Sequence, residues 1–270
     1  MFAQAIVRPP APNFAKGLTT AGLGTPDYER ALAQHDAYCA ALQYCGLKIT
    51  RLQPDPNYPD SCFVEDVAVT IEPLAGDRAT GPNALDPAVI LTRPGAVGRR
   101  GEVETIRGAL TAFFESVSEI RSPGTLDGGD VCKAEDHFFI GVSERTNQDG
   151  AAQLGEWLKI LGYTSSLIDI RDTSSLLHLK SGLSYLGRNH LAVTDSLANR
   201  NEFAAYHLIR VNSDEDYAAN CVKINGHALI AAGNPKFERE LNDLSYQTMV
   251  LEMSEFQKMD GGLSCLSLRF

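Results

Sequence analysis

The sequence predicts an α/β protein built as a ring of repeated units, on three observations. Stretches that read as a hairpin followed by a helix recur at intervals of about 40 to 60 residues, near the upper end of repeat periods. The chain ends on a strand-like stretch, "GGLSCLSLRF", and begins on another, "MFAQAIVRPP". A last half-unit that pairs with the first half-unit closes a ring, whereas a solenoid leaves both ends open. No linker interrupts the 270 residues, so one domain, 1–270, is expected.

The opening half-unit continues into a helix with Tyr28, Leu32, Cys39 and Leu42 inward and Gly46 as its stop. Next, "EDVAVTIEP" and "AVILTRPG" read as paired strands, followed by Val103, Ile106, Leu110 and Phe113 at helical spacing. Their connection, Pro73 to Pro87, is long and rich in Gly, Pro and Asp, which predicts a mobile surface loop. The third unit, "GGDVCKAEDHFFIGV", turns at Glu135-Asp136. Thr146 or Asn147 can cap its helix, Leu154, Leu158 and Leu161 face inward, and Gly162 ends it. The fourth, "SGLSYLGRNHLAVTDSLANRNEFAAYHLI", has a weaker helix. In the fifth, Asn225-Gly226 is a strong hairpin signal and Asn234-Pro235 a helix start, with Phe237, Leu241 and Leu244 on one stripe.

Composition narrows the partners. At 44% hydrophobic and 21% charged residues the chain is in the ordinary soluble globular range. A net charge of -10 leaves no basic footprint for nucleic acid and suits a cationic or zwitterionic small-molecule substrate. The first residues lack a signal-peptide pattern, and no apolar stretch approaches membrane-spanning length, so no membrane partner is expected. The six cysteines (Cys39, Cys45, Cys62, Cys132, Cys221 and Cys265) form no C-x-x-C pair and no metal-type spacing. They read as reduced thiols of a cytoplasmic protein.

Each unit opens with a small or polar patch before its first strand: Glu65-Asp66, Gly128-Gly129-Asp130, Ser181-Gly182, Asn220 and Gly261-Gly262. In a ring, equivalent positions gather round one end of the axis and describe a small polar cavity. Cys265, His178 and Asp127 stand at three of these openings. A cysteine nucleophile needs a base or cation to raise its thiolate fraction, and the base needs an acid to orient it. Taken singly, His178 in "LLHLK" reads as a hydrogen-bonded core histidine and Cys265 as buried filler; their shared placement favours chemistry. Two glycines and a serine ahead of Cys265 either tie the terminus into the core or open a path to its sulfur.

Asp60, Glu65, Asp66 and Asp127 cluster at the same openings, and "FVEDVAV" places two acids inside an apolar strand, costly unless paired. They are either surface strand ends paired with Arg, or a site for a buried guanidinium, whose forked donors match carboxylates two at a time. Phe63 could lie on the face of such a cation. Arg99 in "VGRRGE" and Arg145 in "SERTN" could grip a substrate carboxylate, or be solvated charges beside helices.

Taken together, "GLTTAGLGTPDYERALAQHDAY", "PDSCFVEDVAV", "ILTRPG", "RRGE", "PGTLDGGDV", "SERTNQDGA", "LHLKSGL", "YAANC" and "DGGLSCLSLRF" resemble the dimethylarginine dimethylaminohydrolases of the guanidine-modifying, or pentein, superfamily. The resemblance runs nearly the whole length. It implies a five-bladed pseudosymmetric α/β propeller closed by pairing of the N- and C-terminal strands, and hydrolysis of Nω-methylated arginine to citrulline. It implies Cys265 as nucleophile, His178 as general acid/base and Asp127 as the supporting acid. Asp60, Glu65 and Asp66 fall on acids around the substrate guanidinium and amino group, with Phe63 against it. Arg99 and Arg145 match carboxylate-binding arginines, and Leu18 matches a loop residue that covers the site. Relatives suggest a homodimer. No metal or organic cofactor is implied, and zinc trapped by Cys265 and His178 would inhibit. The long 73–87 connection departs from shorter relatives. An arginine deiminase or amidinotransferase of the same superfamily remains open, as does a non-catalytic amino-acid-binding protein whose Cys265 is structural.

Overall fold

A computed structural model describes residues 1–72, 74, 87–173 and 175–270. The expected loop at 73–87 lies, apart from Leu74 and Pro87, outside the described residues. Among the described residues five three-stranded sheets form. Each repeats one plan: a 3-10 turn leads into a first strand, which runs antiparallel to a central strand, which runs parallel to a third. The third strands are absent from the sequence reading. The chain divides into two compact units, Met1–Val64 with Lys180–Arg269, and Glu65–Leu179 with Phe270.

The first unit begins with β1 (Gln4–Val7), α1 (Tyr28–Tyr44) and β2 (Lys48–Arg51). The Asp27 carboxylate caps α1 by accepting the Arg30 N–H at 2.9 Å, which satisfies one of the helix's orphan donors. Ala31, Gln34, His35, Tyr38, Cys39 and Leu42 are buried, while the expected inward residues Tyr28 and Leu32 are half-buried. Gly46, at φ 93°, follows the helix end in the left-handed conformation a helix stop requires.

The second unit holds β3 (Ala68–Ile71), β4 (Ala88–Leu91), α2 (Glu102–Leu110), β5 (Ser116–Glu119), β6 (Val131–Ala134), β7 (His137–Val142), α3 (Gln148–Ile160) and β8 (Thr164–Asp169). Val103, Ile106 and Leu110 of α2 are buried as their spacing predicts; Phe113 is 39% exposed, and Phe114 takes the inward place. Asn147, not Thr146, caps α3, its side chain accepting the Gly150 N–H at 2.8 Å. Leu154, Leu158 and Leu161 pack with Val69, Ile90, Phe138 and Ile140 in this unit's core. A fully buried leucine of this kind contributes about 2–3 kcal/mol by apolar burial.

The chain then returns to the first unit with β9 (Leu183–Gly187), β10 (His190–Thr194), β11 (His207–Val211), β12 (Val222–Ile224), β13 (His227–Ala231), α4 (Pro235–Asp243), β14 (Gln247–Leu251), α5 (Ser254–Gln257) and β15 (Ser267–Arg269). Between β10 and β11 the weak helix of the sequence reading is a single 3-10 turn, Asn201–Phe203. The Asn225-Gly226 hairpin joins β12 to β13, as expected. Asn234 stands at the start of α4 but donates to Ala231 and Ala232 carbonyls, making no side-chain cap. Leu244 follows the helix end at 37% exposure, so the buried stripe is Phe237 and Leu241. The predicted pairing of the terminal strands is present: β15 runs antiparallel to β1 in register Ala5↔Arg269, Ile6↔Leu268 and Val7↔Ser267.

Candidate active site

Several of the candidate reactive groups sit on or beside the 3-10 turns that precede the first strands. Glu65 and Asp66 lie within Val64–Val67, not inside a strand as the sequence reading expects. Asp127 stands at the start of Gly128–Asp130 and His178 immediately before Leu179–Ser181. Asn220 closes Asp216–Ala219, and Cys265 is the middle residue of Ser264–Leu266. A short turn ahead of a strand fixes backbone direction without spending side chains on the ladder.

The second unit carries Glu65, Asp66, Arg99, Asp127, Arg145 and His178. His178 is buried, and its Nε2 lies 3.0 Å from the Asp127 Oδ2. Asp127, fully buried, also accepts the Gly95 N–H through Oδ1 at 2.9 Å, while its own N–H donates to the Thr146 hydroxyl at 3.1 Å. Asp66 accepts from the Gly129 N–H at 2.9 Å and from the Arg99 Nη1 at 2.6 Å. Arg99 gives its other edge to Glu102, with Nε 3.1 Å and Nη2 2.8 Å from its oxygens. The expectation that Arg99 grips a substrate carboxylate thus meets a buried double ion pair. The Arg145 side chain is half-buried and has no hydrogen bond or ion pair among the described residues.

Asp130 is a residue the sequence reading places in a polar patch without a role. Fully buried, it accepts the Leu179 N–H at 2.9 Å, the Ser143 hydroxyl at 2.7 Å and the Thr146 hydroxyl at 2.6 Å. It therefore anchors the residue that follows His178. Burial pushes its pKa up to about 6, against those hydrogen bonds and the His178 charge. For His178, burial opposes the charge. Asp66, the hydrogen bond with Asp127 and the charges of Asp130 and Asp127 outweigh it and raise the pKa to about 9. Asp66 feels burial in the opposite sense, but His178 and Arg99 hold its carboxyl below the usual carboxylate range. Among the described residues of this unit the buried acids are Glu65, Asp66, Glu102, Asp127 and Asp130, and the buried basic side chains are Arg99 and His178. That surplus of negative charge favours a cationic ligand.

Asp66, Asp127 and His178 offer donor atoms within 4.8 Å of one another, a spacing that suits a metal. Each is already engaged, Asp66 by Arg99 and the Gly129 amide, and His178 by Asp127.

The first unit carries Leu18, Asp60, Phe63 and Cys265. Cys265 is buried at 8% exposure, and its N–H donates to the Gly262 carbonyl at 3.2 Å. Asn220 holds the preceding residue: its Oδ1 accepts the Ser264 N–H and its Nδ2 reaches the Ser264 hydroxyl, both at 3.0 Å. Its Nδ2 also lies 2.9 Å from the Lys180 carbonyl. Arg269 closes the other side, its Nη1 3.0 Å from the Ser264 carbonyl. The glycines allow this close packing. A Cβ on Gly261 would enter the Phe63 ring, and one on Gly262 would collide with the Asn220 amide. The Tyr217 hydroxyl donates to the Gly261 carbonyl at 2.8 Å; burial, and then the charge of Cys265, raise its pKa and keep it a donor. Phe63 packs against Phe14 at 6.0 Å and Phe256 at 6.3 Å between ring centroids. The Asp60 oxygens both accept the Leu18 N–H at 3.1 Å, while the Leu18 side chain is 49% exposed. Asn220, Tyr217, Asp130 and Glu102 are the supporting residues sequence reasoning missed. The small or polar patches before the strands were the signal for Asn220 and Asp130, and "RRGE" held Glu102.

No protein-family model matches the chain. A dimethylarginine dimethylaminohydrolase from Pseudomonas aeruginosa is 40% identical over 271 aligned positions that span 100% of both chains. One from Streptomyces coelicolor is 34% identical, covering 98% of this chain and 96% of its own. The structure of a cysteine-to-serine variant of the Pseudomonas enzyme complexed with citrulline superposes with a TM-score of 0.90, 40% identity and full coverage of both chains. The N-terminal domain of a cyanobacterial arginine dihydrolase, at 18% identity, matches with a TM-score of 0.83 over 98% of this chain and 96% of its own, a likeness of fold.

Proposed function

The chain belongs to the dimethylarginine dimethylaminohydrolase family, whose reaction turns Nω-methylated arginine into citrulline and an alkylamine, and we propose that Cys265, His178 and Asp127 carry that reaction here. The observation that carries the assignment is the buried His178–Asp127 pair, 3.0 Å apart, set among the buried acids Glu65, Asp66 and Asp130, with the His178 pKa raised to about 9. It suits a guanidinium substrate and supplies an acid at neutral pH.

The Cys265 thiolate attacks the central guanidinium carbon, and a C–S bond forms. An amine cannot leave as an anion, so His178 gives its proton to the departing nitrogen as the C–N bond breaks. Dimethylamine or methylamine departs and an S-thiouronium remains on Cys265. His178, now neutral, takes a proton from water as the water oxygen attacks the same carbon. As the C–S bond breaks, the adduct's hydroxyl gives its proton to solvent, where the released amine takes it up; citrulline leaves and the thiolate returns. With Nε2 turned to Asp127, proton exchange with the substrate runs through Nδ1. Asp127 fixes the ring, and Glu65 and Asp66 hold the guanidinium charge in register, which is preorganised stabilisation.

Asp60 receives the substrate ammonium, Phe63 shapes the guanidinium's apolar side, and Leu18 covers it. Arg145 takes the substrate carboxylate, supported by a half-buried guanidinium with no hydrogen bond or ion pair among the described residues. Arg99 sets the Asp66 charge through their 2.6 Å contact and assists Arg145 only from there. Treating 1–270 as one catalytic domain is supported by the match to the Pseudomonas relative over 100% of both chains. Six cysteines outside any disulfide among the described residues support a reducing, cytoplasmic setting. A homodimer rests on the family resemblance, and light scattering after size exclusion tests it.

The deciding experiment is a citrulline assay with asymmetric dimethylarginine and arginine side by side, in the presence of a chelator. Citrulline from the methylated substrate is expected. Citrulline chiefly from arginine would make the chain a deiminase, and none from either would overturn the assignment.

A further inference from the structure

We propose that Arg188, Lys223, His190 and His207, grouped about Tyr246, form a binding site for a tetrahedral oxyanion of the inorganic-phosphate class. The cluster lies in the first unit, at the hairpin end of β9. The 3-10 turn before that strand lies at the other end, about 16 Å away for five extended residues. None of these residues has a role in the proposed chemistry.

The hairpin turn is built to present Arg188. Gly187, Arg188 and Asn189 take φ values of 75°, 53° and 59°, so the two central residues of a two-residue turn are both left-handed. Asn-Gly is the usual choice there, and an arginine in that conformation costs about 1–2 kcal/mol. The arginine lies over an aromatic ring, with Cζ 3.8 Å from the Tyr246 centroid. Contact with the ring face and a hydrogen bond to the Tyr246 hydroxyl hold the guanidinium, whose five N–H donors outnumber that one bond.

Two further donors meet at Tyr246, and a third lies beside the second. The Lys223 Nζ is 5.8 Å from the Tyr246 centroid and lies against Gly187, where an added Cβ would collide with it. The His190 Nδ1 is 2.8 Å from the Tyr246 hydroxyl, and the His207 ring is 5.7 Å from that of His190. Among the described residues no carboxylate pairs with Arg188 or Lys223, although the chain's net charge is -10. The charged neighbours that act on His190 are Arg188 and His207, and the one that acts on Lys223 is Arg188, all of them basic. Burial first, and then these neighbours, hold the pKa values of both His190 and Lys223 below their ordinary values. Like charges gathered without a counter-ion are unfavourable, and a bound dianion reverses the sign of that interaction. A planar guanidinium fork beside an ammonium and imidazole N–H groups matches the several acceptor oxygens of phosphate.

The test uses the full chain, with thermal unfolding in sodium phosphate against sodium chloride of equal ionic strength, and an NMR titration of the His190 imidazole. Phosphate is expected to raise the unfolding midpoint above the chloride control and to raise the His190 pKa. In Arg188→Gln and Lys223→Gln, each compared with its own chloride baseline, phosphate affinity should fall at least tenfold while citrulline formation is unchanged. A phosphate response no larger than that of chloride, or one equally large in both variants, would overturn the proposal.

Discussion

Asn220 grips Ser264 twice, accepting its N–H and meeting its hydroxyl, both at 3.0 Å. The residue it grips is the one directly before Cys265. A side chain with one acceptor and two donors is matched to this position, because the Lys180 carbonyl takes the remaining donor contact at 2.9 Å. The turn that carries the sulfur is therefore fixed by a group outside its own strand.

Replacing Asn220 separates this positioning from binding. Asn220→Ala leaves the buried Ser264 N–H without its acceptor, a loss of about 1–3 kcal/mol. Turnover kinetics should show kcat falling at least tenfold with KM changed much less. Asn220→Asp keeps the acceptor and should recover the fold while slowing thiol alkylation, because it adds a negative charge beside Cys265. A KM effect with unchanged kcat would contradict the positioning role.

His178 gives the pH dependence a definite sign. Its folded pKa, about 9, lies above the model-compound value of 6.5. Its contribution to stability is therefore complete below 6.5 and lost as pH rises through about 9. Asp66 is opposite: its lowered pKa contributes stability above about 3.8, lost as pH falls through the folded value. Denaturant melts across pH should show an alkaline decline that vanishes in His178→Gln. In Asp66→Asn, an NMR titration should find the His178 pKa moved down towards 6.5. With His178 as the acid, kcat/KM should decline above pH of about 9.

Arg99 and Arg145 should part company on substitution. Arg99→Ala strands Asp66 and Glu102 as buried charges, which costs about 3–5 kcal/mol, so its main effect appears in thermal unfolding. Arg145→Ala removes a side chain with no such partners and should leave the unfolding midpoint near wild type. Its KM for dimethylarginine should rise tenfold or more. Equal destabilisation of the two variants would contradict the division of roles.

Gly261 and Gly262 test whether close packing or access governs the double glycine. A methyl on Gly262 strikes the Asn220 amide and one on Gly261 strikes the Phe63 ring. Each alanine variant should lose stability, by about 1–3 kcal/mol for overpacking, and each should slow alkylation of Cys265. Stable variants with unaltered thiol reactivity would show that the glycines have no such role.

Much of the fold was legible because its signals are local. Asn225-Gly226 and Glu135-Asp136 mark their hairpins by turn chemistry, and Gly46 and Gly162 stop their helices. The third strands were not legible. Lys48–Arg51 and Ser116–Glu119 have no fully buried residue, so apolar alternation is weak, and their parallel pairing is set by distant partners. Glu65 and Asp66 looked like strand residues because apolar neighbours flank them, yet a 3-10 turn precedes the strand. The candidate reactive residues were proposed from type and placement. Asn220, Tyr217 and Asp130 were not, since their value lies in hydrogen bonds to residues 13 to 49 positions away. Nor does sequence reveal that Glu102 and Asp66 hold the Arg99 guanidinium.

The most direct test of the central claim is mass spectrometry of the protein quenched during turnover of dimethylarginine, with peptide mapping of the modified residue. The account predicts a thiouronium adduct on the peptide containing Cys265, absent from Cys265→Ser, and formed in His178→Gln only from a substrate whose leaving group needs no proton. Steady citrulline release with Cys265 unmodified in the quenched enzyme, or undiminished turnover by Cys265→Ser, would contradict it.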